Sequence, residues 1–337
     1  MHIGVMLHLT PESGQDANAT YRDFTAFVRF VETLGVEEAW VTEHHFQSTS
    51  LCPAPHLLIA HFLASTQRLR LGSAATLVGF HEPLLVAEEL ATLSALYPGR
   101  VLAGFARGGP FEAQSRVFGA EGELARARML EAVPAIERLW LEPEAGHEGA
   151  FYHWPAVDMQ PRAQPVPIFL ASKDTAAIEL AARCGYGLMN AQFWPNARVR
   201  LSRELYMQAH PTRQAPDVML SRGLLLDDDP VRAAQLAIAH VHDFRAQKSQ
   251  LWGQHQAPVA RMDDAELLQN MLVGTPQQVA AQVRELRALG VTRLALNPLS
   301  WRHETRMALI ERFMRDVWPA AAEPDAAALS AAELAQA

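Results

Sequence analysis

The sequence predicts an α/β protein, a (β/α)8 TIM barrel with insertions after the fourth and seventh strands. Two observations predict this fold. Amphipathic helices that end at glycine and run directly into short apolar strands recur along the chain, which is typical of βα units in a parallel sheet. Eight such strands can be assigned within the 337 residues, and eight is the number that closes a barrel.

The helix-to-strand junction is clearest at two widely separated places. Residues 27–41 carry apolar side chains at helical spacing up to Gly35, which supplies the left-handed position that ends a helix. Residues 282–296 repeat the pattern around Gly290, and residues 177–189 form a weaker copy. Such repetition across the whole chain predicts one continuous parallel sheet.

Each predicted strand is followed by a helical segment. The strands lie at residues 2–8, 37–43, 69–76, 100–105, 166–171, 186–190, 217–225 and 292–297. A doubly wound open sheet is the alternative arrangement. The first strand runs into the loop at residues 10–14 rather than into a G-x-G-x-x-G turn, which favours the barrel.

Two stretches interrupt the alternation. Residues 142–165 are rich in Pro, Gly and His, and we interpret them as an insertion between the fourth helix and the fifth strand. Residues 242–274, polar and rich in Gln, read as a long loop with some helix, and loops of that length are often lids. We therefore expect one barrel domain at residues 1–318 and an Ala-rich tail at residues 319–337.

Composition excludes several classes of protein. A formal net charge of −8 gives no basic surface for nucleic acid. No run of about 20 apolar residues and no signal peptide can be found, so no membrane association is expected. Cys52 and Cys184 form no C-x-x-C motif, which predicts neither a metal site nor a disulfide framework and suits a reducing cytoplasm.

The chemistry of a barrel lies at the carboxyl ends of its strands. The second strand ends in Glu43-His44-His45, which places titratable side chains at the mouth. We interpret His44 as a candidate acid/base. His45 is as well explained by packing as by function.

The next two strand ends carry small residues. Ala74 and Ala75 lie at the end of the third strand, and small residues there would let a flat ligand approach the backbone, although a tight strand explains them equally well. Ala106 and Arg107 follow the fourth strand. Arg107 is placed to pair with an anion such as a phosphate, or else faces water.

The fifth strand leads into the amino end of a helix. Ser172, Lys173 and Thr175 lie at this junction, where backbone N–H groups, hydroxyls and the helix dipole favour an anion. A plain helix cap is the alternative explanation. Together with Arg107, these residues predict a phosphate site.

Several of these motifs resemble those of the bacterial luciferase-like flavin-dependent monooxygenases. The resemblance covers residues 1–225 and, at the last helix–strand unit, residues 274–297. The residues that carry it are Glu43-His44-His45-Phe46, Gly72-Ser73-Ala74-Ala75, Ala106-Arg107-Gly108 and Arg116-Val117-Phe118-Gly119.

The resemblance implies an enzyme that uses reduced FMN and O2 to oxygenate a small organic substrate through a flavin C4a-peroxide. A separate flavin reductase usually supplies the reduced FMN. In this family His44 would be the catalytic base, which we expect His45 and Glu43 to orient. The flavin ring would stack on a cis peptide at Ala74-Ala75.

Further implications concern the phosphate and assembly. Arg107 with the loop at Ser172 would bind the FMN phosphate. The helices around residues 56–66 and 83–96 would form a homodimer, with Glu88 reaching across. We expect their outward faces to carry Leu57, Leu58, Ala60, His61, Leu63, Ala64, Glu88, Ala91 and Leu93.

Two departures limit how far the family's properties extend to this chain. Ala106 stands where luciferase has a reactive cysteine, and Lys173 stands where luciferase has an acidic-Ser pair. Both weaken any expectation of light emission or of an aldehyde substrate. Deazaflavin-dependent hydride transfer on the same barrel stays open, as does a noncatalytic flavin-binding relative, although the retained His44 argues against the latter.

Overall fold

The computed structural model describes residues 1–109, 111–249, 251–252 and 257–322. Its strands are β1 (His2–Leu7), β2 (Glu38–Val41), β3 (Arg70–Ser73), β4 (Val101–Ala106), β5 (Ala145–Glu148), β6 (His153–Val157), β7 (Ile168–Ala171), β8 (Gly187–Asn190), β9 (Val218–Leu226), β10 (Leu272–Gly274) and β11 (Arg293–Pro298).

The helices cover the outside of the sheet. They are α1 (Ala17–Thr33), α2 (Pro55–Ser65), α3 (Pro83–Leu96), α4 (Glu112–Val117), α5 (Gly122–Leu141), α6 (Thr175–Cys184), α7 (Asn196–Ala209), α8 (Pro230–Lys248), α9 (Asp264–Gln269), α10 (Pro276–Ala288), α11 (His303–Arg312) and α12 (Trp318–Ala322). None of these described helices is both long enough and apolar enough to span a bilayer.

Eight parallel strands close into a barrel in the order β1-β2-β3-β4-β7-β8-β9-β11. Leu188 of β8 pairs with Val218 of β9, and His2 of β1 pairs with Arg293 of β11, so no edge is left open. Each of these strands coincides with one of the eight segments assigned from the sequence. The predicted barrel fold is therefore confirmed.

Both insertions contain more structure than their composition suggested. Strands β5 and β6 form an antiparallel hairpin within residues 142–165. In the stretch 242–274, α8 continues to Lys248, and a 3-10 helix (Pro258–Arg261), α9 and β10 follow. Interpreting this stretch as a long loop was therefore wrong for its described residues, while residues 250 and 253–256 lie outside them.

Apolar packing explains why this second insertion is ordered. Trp252, Val259, Leu267 and Met271 are buried in one cluster with side chains of α8, and β10 extends the sheet beside the carboxyl end of β9. Burying such side chains is worth about 1.5–3 kcal/mol each relative to leaving them exposed. That gain offsets the entropy lost by ordering a polar segment.

Inside the barrel, large side chains fit because glycines face them. A Cβ atom on Gly72 would lie 2.6 Å from the ring of Trp40, and one on Gly104 would lie 2.1 Å from the carbonyl oxygen of Ser73. Trp40 and Phe169 meet edge to face with ring centroids 5.5 Å apart. This packing fills the middle of the barrel.

An ion cluster closes the amino end of the barrel. The buried carboxylate of Glu38 forms ion pairs with Arg70, at 2.6 Å, and with Arg293, and it accepts a hydrogen bond from Trp40 Nε1 at 3.2 Å. Burial raises the pKa of Glu38 although these cations oppose the shift. Charged and aromatic side chains therefore fill the amino end of the barrel.

The carboxyl-terminal helices pack on the barrel. A π-helical turn (Phe313–Val317) joins α11 to α12, whose Ala321 is fully buried. The predicted Ala-rich tail at residues 319–337 thus begins as helix at residues 319–322. Residues 323–337 lie outside the described part of the chain.

Candidate active site

The carboxyl ends of the barrel strands surround a cavity with two adjoining compartments. One has a volume of about 650 Å³, and we call it the alanine compartment after Ala74, Ala75, Ala106, Ala171 and Ala191. The other has a volume of about 620 Å³ and borders α8; we call it the aromatic compartment after Phe24, Phe27, Phe111, Phe193, Phe244 and Trp301. His8, His44 and Trp194 line both compartments.

The alanine wall lies where the sequence predicted a flat ligand surface. The Ala74-Ala75 peptide bond is cis. The N–H of Ala74 donates to the carbonyl oxygen of Val41 at 2.7 Å, and that of Ala106 donates to Thr76 at 2.9 Å. The wall therefore consists of hydrogen-bonded backbone and methyl groups, against which a planar ring can lie.

One end of the alanine compartment is cationic. Arg107, Ser172 and Lys173 all line it, as the predicted anion site requires, and the acidic side chains of Glu123 and Asp174 line it as well. The hydroxyl oxygen of Ser172 accepts a hydrogen bond from the N–H of Asp174 at 3.0 Å, and Asp174 caps α6. Thr175 is exposed on the first turn of α6 and does not line the cavity, so the structure does not bring it to this site.

Arg126 is a further cation of this end that the sequence did not indicate. It lies on α5, pairs with Asp174 and Glu123, and lines the alanine compartment. Arg107 donates to the carbonyl oxygen of Gly122 at 3.3 Å and forms no ion pair within the described part of the chain. Inspection of strand ends alone finds Arg107 and misses a helical residue such as Arg126.

His44 lies at the boundary between the two compartments. Its ring stacks on that of His8 with centroids 6.4 Å apart and meets the ring of Phe111 edge to face at 5.3 Å. Its Nδ1 atom is buried and has no hydrogen-bond partner among the described residues. The position of His44 at the mouth agrees with the sequence prediction.

The protonation state of His44 differs from the expectation of an imidazole that titrates near neutrality. Burial, followed by the charges at His8 and Lys248, lowers the pKa of His44 to about 3. Burial also lowers the pKa of His8 to about 4. Both rings are neutral at pH 7, so each offers one hydrogen-bond donor and one acceptor.

Glu43 and His45 lie on the other face of the barrel wall from His44. Glu43 Oε1 accepts hydrogen bonds from Nε2 of His45 and Nε2 of His81, each at 2.7 Å, and Oε2 accepts from the N–H of Leu77 at 2.8 Å. Neither side chain hydrogen-bonds the His44 ring. They therefore do not orient the ring through a hydrogen bond, because His44 faces the cavity whereas the residues on either side of it do not.

The Glu43 network is complete as a set of hydrogen bonds. Its carboxylate, His45 and His81 place three potential metal-ligand atoms within 4.8 Å of one another. Burial acts to raise the pKa of Glu43, but the hydrogen bonds from His45 and His81 outweigh it and lower the pKa to about 2. We interpret the cluster as a structural support beneath His44.

Other cavity residues escaped the sequence analysis. His8 and Asn190 directly follow or end strands, so the strand-end criterion would have found them. Asn190 Nδ2 and Ser221 Oγ are buried without a partner in the described structure, and both residues line the alanine compartment. Lys248 lies at the end of α8, where no motif marks it.

Comparison with known proteins identifies the family to which this architecture belongs. The family model described as luciferase-like monooxygenase matches residues 1–293. The oxygenase component of the flavin-dependent trigonelline monooxygenase of Acinetobacter baylyi is 25% identical over 351 residues, which cover 96% of each chain.

Two further relatives bear on cofactor and fold. An F420-dependent glucose-6-phosphate dehydrogenase of Kineococcus radiotolerans is 28% identical over 216 residues, covering 60% of this chain and 64% of the relative. The crystal structure of the monooxygenase RslO1 from Streptomyces bottropensis superposes with a TM-score of 0.84 at 27% identity, covering 95% of this chain and 99% of that one. With the family model matching most of its length, the chain belongs to the luciferase-like monooxygenase family.

Proposed function

We propose that this protein is an FMN-dependent monooxygenase that uses reduced FMN and O2 to oxygenate a small organic substrate. One observation carries the proposal. The alanine compartment combines a wall of methyl groups with the cations Arg107, Arg126 and Lys173 and adjoins an aromatic compartment, which are the features that a phosphorylated flavin beside a substrate requires.

The residues of the alanine compartment suit FMN. Arg107, Arg126 and Lys173 would hold the phosphate together with the Ser172 hydroxyl, because charge-assisted hydrogen bonds to phosphate are strong. The unpartnered polar atoms of Asn190 and Ser221 line the same space. A flavin ring carries carbonyl and nitrogen atoms at its edge that such groups can bind.

Reduced FMN, when bound, supplies the electrons that activate O2. The protein holds the ring on the alanine wall, and the aromatic compartment keeps water away from the reacting groups. His44 lies between the two compartments and acts as the acid/base group for the substrate, taking or giving a proton at its unpartnered Nδ1 atom. Glu43 and His45 act through the position of the strand end rather than by contact with substrate.

The same proposal includes a separate reductase, a homodimer and a reducing compartment. The A. baylyi relative is an oxygenase component, which supports a separate flavin reductase as the source of reduced FMN. The exposed leucines of α2 and α3 support a homodimer. Cys52 and Cys184 are both free thiols, which suits a reducing cytoplasm.

Deazaflavin-dependent hydride transfer is the second candidate function. The F420-dependent relative favours it, and the cationic end of the alanine compartment suits any phosphorylated cofactor. The retained His44 argues against a third possibility, a noncatalytic flavin-binding protein.

The deciding experiment compares cofactors and follows the oxygen atom. Binding of FMN, riboflavin and F420 is measured by calorimetry, and reactions with reduced FMN and a panel of aromatic substrates are run under ¹⁸O₂. We expect FMN to bind and one ¹⁸O atom to appear in a product. Binding of F420 with no binding of FMN would favour the second candidate, and FMN binding without labelled product from any substrate would favour a noncatalytic protein.

A further inference from the structure

The aromatic compartment has an unusual balance of charge. Its walls are largely aromatic and aliphatic, and its lining includes Lys173, Arg198, Lys248 and Arg306. No Asp or Glu is present among the described residues that line it. A space of this kind suits an apolar ligand that carries negative charge.

Lys248 is one of two buried cations in this lining, the other being Arg306. Its side chain is buried, and Nζ donates to Gln47 Oε1 at 2.7 Å and to Thr49 Oγ1 at 2.6 Å. Both acceptors are neutral, and Lys248 makes no ion pair with any residue of the described ranges. They also use only two of the three N–H bonds of an ammonium group.

The positions near Lys248 in the sequence that lie outside the described ranges are not acidic. Position 250 is Gln, and positions 253–256 read Gly-Gln-His-Gln, so no acidic side chain is encoded there. Burial lowers the pKa of Lys248 to about 8, which leaves it mainly charged at pH 7. A buried charge without a partner is costly, and an anionic ligand would remove that cost.

Arg306 serves a different purpose from Lys248. Its guanidinium donates to the carbonyl oxygens of Ser300 at 2.8 Å, Thr10 at 3.1 Å and Trp301 at 2.8 Å. It also lies over the ring of Phe24. These contacts fix the loop after β11, so Arg306 adds positive potential but is already engaged by the protein.

The histidines around the compartment do not supply the positive charge. Burial lowers the pKa of His240 to about 4, and the rings of His8 and His44 are likewise neutral at pH 7. Because Arg306, the other buried cation of the lining, is engaged by carbonyl oxygens, an anion buried in this space would find its partner at Lys248. The imidazoles can only offer hydrogen bonds to it.

We propose that the aromatic compartment binds an aromatic carboxylic acid, with the carboxylate on Lys248 and the ring between the aromatic walls. This names the substrate class of the site proposed above and rests on that function. A ring held in this way extends toward His44, which lines both compartments. The volume of about 620 Å³ accommodates two fused rings.

The chain offers a matched pair of variants for the test. Lys173 and Lys248 are its only two lysines, and both line the cavity. Lys248→Met removes the proposed carboxylate partner, whereas Lys173→Met removes a cation at the proposed phosphate end. Lys248→Arg keeps the charge and serves as the conservative variant.

The probes are naphthalene-2-carboxylate and its neutral analogue 2-naphthamide, titrated by calorimetry into FMN-free protein at pH 7. We expect the wild type to prefer the carboxylate by about 10- to 100-fold, which is the effect of one charge-assisted hydrogen bond. Lys248→Met should abolish this preference and leave amide binding within about threefold. Lys173→Met should keep the preference and weaken FMN binding instead.

The outcomes separate this inference from the proposed function. No preference in the wild type, or a preference that survives in Lys248→Met, would overturn the inference even if FMN binds normally. A Lys248-dependent preference in a protein that fails to bind FMN would retain the carboxylate site and contradict the FMN proposal. Retained amide binding shows that Lys248→Met is folded, and Lys248→Arg should keep most of the preference.

Discussion

Glu43 and His44 are adjacent in the sequence, yet their side chains lie on opposite faces of the barrel wall. His44 lines the cavity, whereas Glu43 is buried behind it and accepts hydrogen bonds from His45, His81 and the N–H of Leu77. The two residues therefore have separable roles. Substitution of Glu43 should act on stability, and substitution of His44 should act on chemistry.

Glu43→Gln should destabilise the fold by about 3 kcal/mol at pH 7, since each pKa unit corresponds to about 1.4 kcal/mol. Because the folded state lowers the pKa of Glu43 to about 2 from 4.5, its stabilising contribution is present above the unfolded pKa. It is lost as pH falls from about 4.5 toward 2. Urea unfolding of both proteins from pH 7 to pH 3 measures the difference.

The pH dependence distinguishes this explanation from a simple packing defect. A difference in unfolding free energy between wild type and Glu43→Gln that stays constant down to pH 3 would contradict this explanation, because the ionised carboxylate would then not be the source of the stability. FMN binding by folded Glu43→Gln should stay close to that of the wild type, because Glu43 does not line the cavity.

The fold could be predicted well from the sequence because it rests on a repeated local pattern. The glycine that follows α1 or α10 and the apolar run after it are visible in a single copy of the pattern, at Gly35 and at Gly290. Both glycines have positive φ in the structure, as a helix end of this type requires. Barrel closure followed from counting eight such units.

The site could be predicted only where it depends on strand ends. The positions of His44, Ala74 and Arg107 follow from the periodicity of strands, but the roles of their neighbours depend on which face each residue occupies. Arg126 and Lys248 reach the cavity from helices, through tertiary packing that no local pattern encodes. The low pKa of His44 is equally invisible in the sequence, because it arises from burial.

His44→Ala should lower oxygenation turnover by about 100- to 10,000-fold, the usual cost of removing an acid/base group. FMN affinity should change by no more than a few-fold, because the phosphate is held at the other end. Since the pKa of His44 is about 3, its protonation should not reduce the wild-type rate between pH 8 and pH 5. Steady-state kinetics over this range provides the measurement, and full coupled turnover by the variant would show that another group moves the proton.

Arg107→Ala should weaken FMN binding by about 10- to 100-fold, which corresponds to the loss of one charge-assisted hydrogen bond. Riboflavin binding should change little, because riboflavin has no phosphate. Flavin fluorescence titration measures both affinities. Arg116→Ala is a suitable control, since Arg116 is exposed and pairs with Glu112 at 2.8 Å; equal losses for FMN and riboflavin would place the phosphate elsewhere.

The proposed homodimer depends on a smaller surface than the sequence suggested. Leu63, Ala91 and Leu93 face the core, whereas Leu57 and Leu85 are 74% and 58% exposed on neighbouring helices. Leu57→Glu should therefore raise the dimer dissociation constant by about 100-fold or more, because it buries a charge in the interface.

Sedimentation velocity across a concentration series tests the dimer. Leu141→Glu is the matched control, since Leu141 is also 74% exposed and lies at the end of α5. The control should remain dimeric. A monomeric wild type at micromolar concentration, or equal dissociation of both variants, would contradict an interface on α2 and α3.

Lys248→Met should stabilise the protein at pH 7, because the wild type keeps a charged ammonium buried without a counter-ion. The folded pKa of Lys248, about 8, lies below the ordinary 10.5, so its cost is fully present below pH 8 and disappears as pH rises toward 10.5. The lowered pKa corresponds to a loss of about 3 kcal/mol in the unfolding free energy of the wild type. Lys248→Met would regain this amount but would lose the hydrogen bonds to Gln47 and Thr49, at about 1 kcal/mol each.

We therefore expect a net gain of about 1 kcal/mol at pH 7 that becomes a loss near pH 10, measured by urea unfolding. Lysine labelled with ¹³C at the ε position gives an independent reading, because the chain has only two lysines. The signal missing from Lys248→Met should titrate near pH 8 in the wild type. If Lys248→Met is less stable than the wild type at pH 7, Lys248 supports the fold. If the variant is more stable and no longer prefers the carboxylate, Lys248 serves ligand binding at the expense of stability.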